Sequence, residues 1–284
     1  MSNEPWKPSD AEYYSAKEWL SHSEFKYFVK SPKSYQRHVV DGLPFKKSDA
    51  MEFGSAVDAA AFHPDGYGAG VVVIPDKVLA SNGARAGSKW KEFAAANEGK
   101  VLVKSDDKLL CVLESLTDHE EANAILACDG QAQPAFRWET DVNGVPLKRR
   151  AKLDKLAADL SFIADLKTTN DPSPEAFAKT IMDLRYYTQA VWYQDAVEAH
   201  HGVRPPFLII AVQNCEPFDC EVYELNETFI ALGRKLIDEK LREFVDCRES
   251  STWRRRSHGK ITKLAPPYWA ERALQDWTFQ GVSA

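Results

Sequence analysis

The feature that most constrains this chain is a pair of alternating runs joined by Asn143-Gly144. Phe136-Arg137-Trp138-Glu139-Thr140-Asp141-Val142 alternates side chains on a period of two, Asn-Gly is the dipeptide best suited to a tight hairpin, and the chain returns through Val145 to Leu156. A third strand, Leu160 to Leu166, follows closely. Three consecutive strands predict a sheet and deliver Asp154 and Asp165 to the same region of it. Alternation places Asp165 and Lys167 on one face, with Leu166 turned into the opposite core.

The segments around this sheet read as helices and further strands. Residues 1 to 18 are polar and carry Pro5 and Pro8, which predicts an extended, loosely held arm. Helices are expected at Glu24 to Lys30, at Pro32 to about Val40, at Ala50 to Phe62 and at Lys89 to Asn97, and a long one at Ser105 to Ala127. Short strands are expected at Val71 to Ile74 and at Gly99 to Val103, with a turn-rich connector at Gly66 to Gly70. A long helix at Glu175 to His200 then precedes strands at Phe207 to Val212 and Asp219 to Leu225, and a last helix runs from Glu227 to Asp246. With no internal repeat or low-complexity linker, residues 1–284 read as one α/β domain of mixed α+β character. Its mainly helical portion is 1–130, its sheet and helix core 131–225, and its C-terminal helix and tail 226–284.

Composition narrows the class. No apolar run approaches the roughly 20 residues that span a bilayer, and the polar start lacks the build of a signal peptide, so a cytoplasmic protein without a membrane partner is expected. Five cysteines, Cys111, Cys128, Cys215, Cys220 and Cys247, are scattered without a CxxC pair, which argues against a disulfide framework, a zinc ribbon or an iron–sulfur cluster. The formal charge of −6 disfavours a surface that embraces nucleic acid everywhere, but not an enzyme that gathers its basic groups in one channel.

The strand ends suggest chemistry. Asp154 and Asp165, with Asp58 as the lone charge in an otherwise small and apolar helix, supply hard oxygen ligands of the kind magnesium prefers. The Leu166 carbonyl lies between the last acid and Lys167. Such a group of residues suits metal-assisted phosphodiester hydrolysis, with Lys167 orienting water or stabilising developing charge. Gln189 and Tyr193 are four apart and share a helix face; Phe177, Ile181, Leu184 and Val191 form a separate apolar stripe expected to face the sheet. Lys148, Arg150 and Lys152 alternate onto the face that carries Asp154, where they could neutralise backbone phosphates. Arg85, in the polar loop Ser81 to Ser88, and the run Arg254-Arg255-Arg256 are further basic candidates. The competing readings are a solvated strand end for Asp165 and Lys167, a cap on a neighbouring loop for Asp58, core packing for the aromatic helix face and a charged edge strand for the basic row.

Taken together, these motifs resemble the RecE-like exonuclease VIII family, a branch of the PD-(D/E)XK nucleases related in core fold to lambda exonuclease and the RecB nuclease domain. The resemblance runs from about Ser21 to Trp269. It rests on the Ser-x-Ser start with Ser31-Pro32, Phe53-Gly54-Ser55-Ala56-Val57, the strands around Trp138 and Gly144, Lys152-Leu153-Asp154, Asp165-Leu166-Lys167-Thr168-Thr169 and Gln189-x-x-x-Tyr193. It implies a central mixed sheet flanked by helices, catalytic Asp154, Asp165 and Lys167, and Mg2+ (or Mn2+) held by Asp58, Asp154, Asp165 and the Leu166 carbonyl. Gln189 and Tyr193 match the family's QxxxY helix and would contact DNA. The sequence departs from the family in two places: Asp58 stands where a histidine is common, and Lys-Leu-Asp replaces Arg-Pro-Asp in a slightly longer segment. The resemblance also implies 5′ to 3′ degradation of linear double-stranded DNA from its ends, a RecT-like single-strand annealing partner and a ring-shaped homo-oligomer. Two alternatives share the core motifs: a CRISPR-adaptation-type nuclease, disfavoured by the scattered cysteines, and an inactive DNA-binding or assembly protein.

Overall fold

The computed structural model describes residues 6–44, 48–62, 71–98, 100–103, 107–254, 261, 263–266 and 270–272. The connector at Gly66 to Gly70 and the basic positions Arg255 and Arg256 lie outside them, as does much of the tail. In chain order the elements are α1 (Asp10–Ser15), β1 (Leu20–Ser21), α2 (His22–Lys30), α3 (Pro32–Tyr35), α4 (Asp49–Ala61), β2 (Val71–Val73), α5 (Ser88–Ala96), β3 (Val101–Val103), α6 (Lys108–Asp118), α7 (Glu120–Ala127) and β4 (Gly130–Ala132). There follow β5 (Ala135–Val142), β6 (Val145–Lys152), β7 (Lys155–Ala157), β8 (Ile163–Thr169), α8 (Pro174–Leu184), α9 (Tyr186–His201), β9 (Phe207–Gln213), β10 (Cys220–Glu224) and α10 (Glu227–Glu249). A single π-helical turn, Gln36–Val40, continues α3.

The main sheet has five strands in the order β10-β9-β8-β7-β4. β8 and β9 pair in parallel across the α8–α9 crossover, and the remaining pairings are antiparallel. β9, Phe-Leu-Ile-Ile-Ala-Val-Gln, is apolar almost without break, as a strand covered on both faces has to be. One face carries Ile163, Phe207, Ile209 and Ala211 into a core shared with α2, α9 and α10. The other carries Ala164, Leu166, Ile210 and Val212 into a core with α4, α6 and α7. Both faces of the sheet are therefore covered by helices, the mixed α/β arrangement expected from the sequence.

The hairpin forms where Asn143-Gly144 places it. Both turn residues have positive φ (55° and 82°), the pairing Val142↔Val145 closes the ladder, and Asp141 Oδ1 accepts from the Gly144 N–H at 2.9 Å. The hairpin does not, however, join the strand of Asp165. β5 and β6 belong to a separate three-stranded sheet, order β1-β6-β5, and the chain crosses to the main sheet between Lys152 and Lys155. Asp154 sits at that crossing. Its own carbonyl accepts from the Gln133 N–H at 2.9 Å, in the equivalent gap between β4 and β5.

Local geometry explains the other departures. The two long helices are each broken once. His119 takes an extended backbone between α6 and α7, and its Nδ1 accepts from the Ala122 N–H at 3.2 Å as a side-chain cap. Arg185 takes a left-handed conformation (φ 57°, ψ 42°) between α8 and α9. Neither break involves glycine or proline, so periodicity reads through them. Leu184, placed by that periodicity in the apolar stripe, is 47% exposed beside the break, whereas Phe177, Ile181 and Val191 are buried. Within its described part, from Trp6 onward, the amino-terminal arm is not loose. Ser9 caps α1 in a reciprocal capping box with Glu12, and Trp6 bridges to Ala135. Among the described residues no helix is long and apolar enough to cross a membrane.

Candidate active site

The site is built around β8. Because Ile163 packs in the first core and Ala164 and Leu166 in the second, strand alternation turns Asp165 and Lys167 toward α9. Asp165 is fully buried. Its Oδ1 accepts from Gln189 Nε2 at 2.7 Å, and the same amide nitrogen lies 3.0 Å from the Tyr193 hydroxyl. Gln189 and Tyr193 thus lie one turn apart on one face of α9 and support the buried acid. Lys167 Nζ makes an ion pair with Asp165 Oδ2. The ammonium also reaches the Leu166 carbonyl at 3.4 Å and lies 5.2 Å from the centre of the Tyr186 ring.

Asp154 approaches from the crossing between the sheets, and its Oδ2 accepts from the Leu166 N–H at 3.0 Å. Burial, followed by the neighbouring charge of Asp165, raises its carboxyl pKa well above the usual aspartate range, and Lys167 offsets this only in part. Burial opposes the Lys167 ammonium, but Asp165 and then Asp154 outweigh it and keep the amine protonated. The Tyr193 hydroxyl is likewise held neutral by burial and by Asp165 and Asp154. Two acids and one ammonium leave this site with more negative charge than it compensates.

A cavity of about 620 Å3 opens beside these groups, lined by Asp58, Asp154, Lys167, Gln189 and Tyr193. A second, of about 500 Å3, adjoins Asp58 and Lys167 from the side of α4, Tyr186 and Asn170. Asp58, midway along α4, is therefore at the junction of the two. Carboxylates and a carbonyl are the oxygen donors a hard divalent cation takes, and of the expected set Asp58 and Asp154 line the cavity while Asp165 is fully buried. Among the described residues no three histidine, cysteine or carboxylate side chains converge as a ready-made chelate, and the Lys167 ammonium lies against the deepest acid.

The basic row behaves differently from its alternation pattern. Lys152 lines the cavity. Arg150 also reaches its wall but is 1% exposed, its guanidinium donating to the carbonyls of Tyr13 and Ala16 (3.0 Å to Ala16) and to Glu24 Oε1 at 3.1 Å. It holds the arm to α2 and is not free to meet a phosphate. Lys148 lies 5.3 Å from the Trp19 ring, away from the cavity lining. Arg85 donates to the Leu102 carbonyl at 3.0 Å and stacks 5.7 Å from the Trp90 ring, and it lines neither cavity. Gly54, expected to admit a close backbone approach, leaves room for a Cβ in ordinary contact, 3.4 Å from Thr168 Oγ1.

Sequence reasoning missed the outer wall, which is formed by Tyr14 and Lys17 of the arm, His22 at the start of α2 and His38 in the π-helical turn. One signal was legible: Ser21 and Glu24 form a capping box that fixes where α2 begins and therefore where His22 lies. His22 is buried with Nε2 2.9 Å from Thr188 Oγ1, and burial followed by Lys26 and Lys167 holds its pKa well below the usual histidine value.

Comparison with known proteins bears on this arrangement. A family described as a PDDEXK-like domain of unknown function (DUF3799) matches residues 21–263. No curated protein sequence matches. Among solved structures, a candidate exonuclease from Eubacterium rectale aligns over 94% of this chain and 99% of its own, with a TM-score of 0.62 and 15% identity, which establishes a shared fold. An alkaline exonuclease from Laribacter hongkongensis aligns over 71% of this chain and 98% of its own at 13% identity, with a TM-score of 0.25.

Proposed function

Because the chain belongs to the PDDEXK-like domain family of unknown function (DUF3799), matched over residues 21–263, we propose that it is a metal-dependent deoxyribonuclease acting on linear double-stranded DNA. The observation that carries this reading is the convergence of Asp154 from the crossing between the sheets, the Asp165–Lys167 pair from the main sheet and the Gln189/Tyr193 face from α9 beside a single cavity. An exonuclease direction is favoured by the motif resemblance and by the name borne by the Eubacterium rectale protein of the same fold. Degradation from 5′ ends, magnesium as the ion, a ring-shaped oligomer and an annealing partner in recombination belong to the same proposal and rest on that resemblance.

Asp58, Asp154, Asp165 and the Leu166 carbonyl would hold the cation. When bound, it would polarise a phosphoryl oxygen and lower the pKa of a coordinated water. The chain's own residues have separate tasks. Lys167, kept protonated by its acidic neighbours, acts as a fixed positive charge facing the developing phosphorane oxygens and not as a base. Gln189 fixes the orientation of the Asp165 carboxylate, and the Tyr193 hydroxyl behind it prevents the amide from rotating away. The Leu166 N–H fixes Asp154 in the same way.

The test is degradation of linear and covalently closed duplex DNA with magnesium, with manganese and with chelator, run alongside Asp165→Ala and Lys167→Ala. Metal-dependent loss of the linear form alone, abolished in both variants, supports an exonuclease. Equal cutting of the closed circle would replace it with an endonuclease. No cutting of either form by the wild type would end the nuclease reading. Substrates labelled at one end or the other read the polarity.

A further inference from the structure

The catalytic cavity does not end at the arm. It shares Gln133 and Lys152 with a neighbouring cavity of about 740 Å3, whose other walls include Trp6, Lys7, His200 and His201. The arm passes between the two. Tyr14 of its helix and Lys17 just beyond it line the catalytic side, while Trp6 and Lys7 border the far side. Two arginines hold it in place. The Arg137 guanidinium lies 4.2 Å from the Trp6 ring centre and 5.3 Å from that of Trp19, and Arg150 grips the Tyr13 and Ala16 carbonyls.

The charge of this second cavity is unlike that of the chain. The sequence has 42 acidic residues against 36 lysines and arginines. Among the described residues that line the second cavity none is acidic, and the charged ones are both lysines, Lys7 and Lys152. Such local concentration of one sign, continuous with a site that handles phosphodiesters, is what a bound polyanion requires. Tyr14 adds a 62% exposed ring on the catalytic side, in a T-shaped contact with Tyr13 at a centroid distance of 5.3 Å. A ring so presented accepts the face of any base.

The geometry points to a strand-holding subsite. A single DNA strand continues from the catalytic cavity past Gln133 into the second cavity, with successive phosphates on Lys152 and Lys7 and a base stacked on Tyr14. This assignment rests on the nuclease reading for the nature of the ligand, but binding tests it without catalysis. Anisotropy titrations of the full chain with a fluorescein-labelled single-stranded oligodeoxynucleotide, in chelator and over a series of KCl concentrations, give both affinity and salt slope. Lys7→Ala and Lys152→Ala are each expected to weaken binding about fivefold and to reduce the slope of log K against log salt by about 0.7. Tyr14→Ala weakens binding to a similar degree with the slope unchanged. Lys235→Ala, an exposed lysine on α10 outside these cavities, removes the same charge and is expected to leave both quantities as in the wild type. The subsite is overturned if the wild type does not bind the oligonucleotide, or if it binds and Lys7→Ala behaves as Lys235→Ala does. In the latter case metal-dependent cleavage of linear duplex by the wild type would leave the nuclease reading standing.

Discussion

The two acids of the site should affect stability in opposite directions. Asp165 is fully buried and ion-paired with Lys167, and removing one partner of a buried pair costs roughly 3–5 kcal/mol because the other charge is left uncompensated. Asp165→Asn still accepts from Gln189, and Asp154 still faces the ammonium, so the expected loss is at the low end, about 3 kcal/mol. Asp154 is the reverse case. Its folded-state pKa is raised, so the ionised carboxylate costs stability as pH rises from the ordinary value of about 3.9 through the raised one, and the cost then levels off. Asp154→Asn removes that cost while still accepting from the Leu166 N–H, and should be more stable than the wild type at alkaline pH, with the difference vanishing toward the ordinary aspartate pKa. The assay is urea unfolding followed by tryptophan fluorescence, in chelator, across a pH series. Adding a divalent ion at a hundred times its Kd should stabilise the wild type by about 2.7 kcal/mol and Asp154→Asn by far less. If both variants shift in the same direction, or the Asp154 difference ignores pH, the charge balance described for this site is wrong.

Further expectations concern the surrounding scaffold. Burial keeps His22 neutral, so below the unfolded pKa of about 6.5 the unfolded chain takes up a proton that the folded chain refuses; stability should fall by up to about 1.4 kcal/mol per pH unit, and His22→Gln should flatten that slope in denaturant titrations. Gly233→Ala would put a Cβ 2.4 Å from the Tyr187 carbonyl oxygen where α10 crosses α9, and should destabilise by about 2–3 kcal/mol, whereas Gly54→Ala, meeting only Thr168 Oγ1 at 3.4 Å, should stay within about 0.5 kcal/mol of the wild type by thermal unfolding. Arg150→Met removes the donors that hold Tyr13 and Ala16 and leaves Glu24 with Lys17, at 3.5 Å, as its cation, so limited proteolysis should cut within residues 6–20 far faster than in the wild type.

What was legible in the sequence is what local chemistry alone dictates. Asn143-Gly144 set a turn, period-2 alternation turned Asp165 and Lys167 to one face, and the i, i+4 spacing stacked Gln189 under Tyr193. Each depends only on neighbours along the chain. Which sheet a strand joins is a long-range matter, and nothing in Val145 to Leu156 marks the point where pairing with β5 gives way to pairing with β8. Arg149 and Arg150 illustrate the same limit. Adjacent residues on opposite faces of β6 were expected to include one free basic group, yet both are buried, Arg149 against Trp192 at 3.9 Å and on Asp195, Arg150 under the arm. An arginine aimed at phosphate and one aimed at backbone carbonyls have the same local signature. The arm itself carried no apolar period, because cation–π contacts and one buried guanidinium secure it in place of an apolar stripe.

The crossing at Asp154 has a structural consequence. This residue joins the two sheets: its carbonyl accepts from Gln133 at the edge of one strand gap, and its carboxylate accepts from Leu166 in the middle of the main sheet. With its carboxylate bonded to the strand of Asp165 and its carbonyl bonded outside the main sheet, Asp154 carries the path of the chain between the sheets directly into the site.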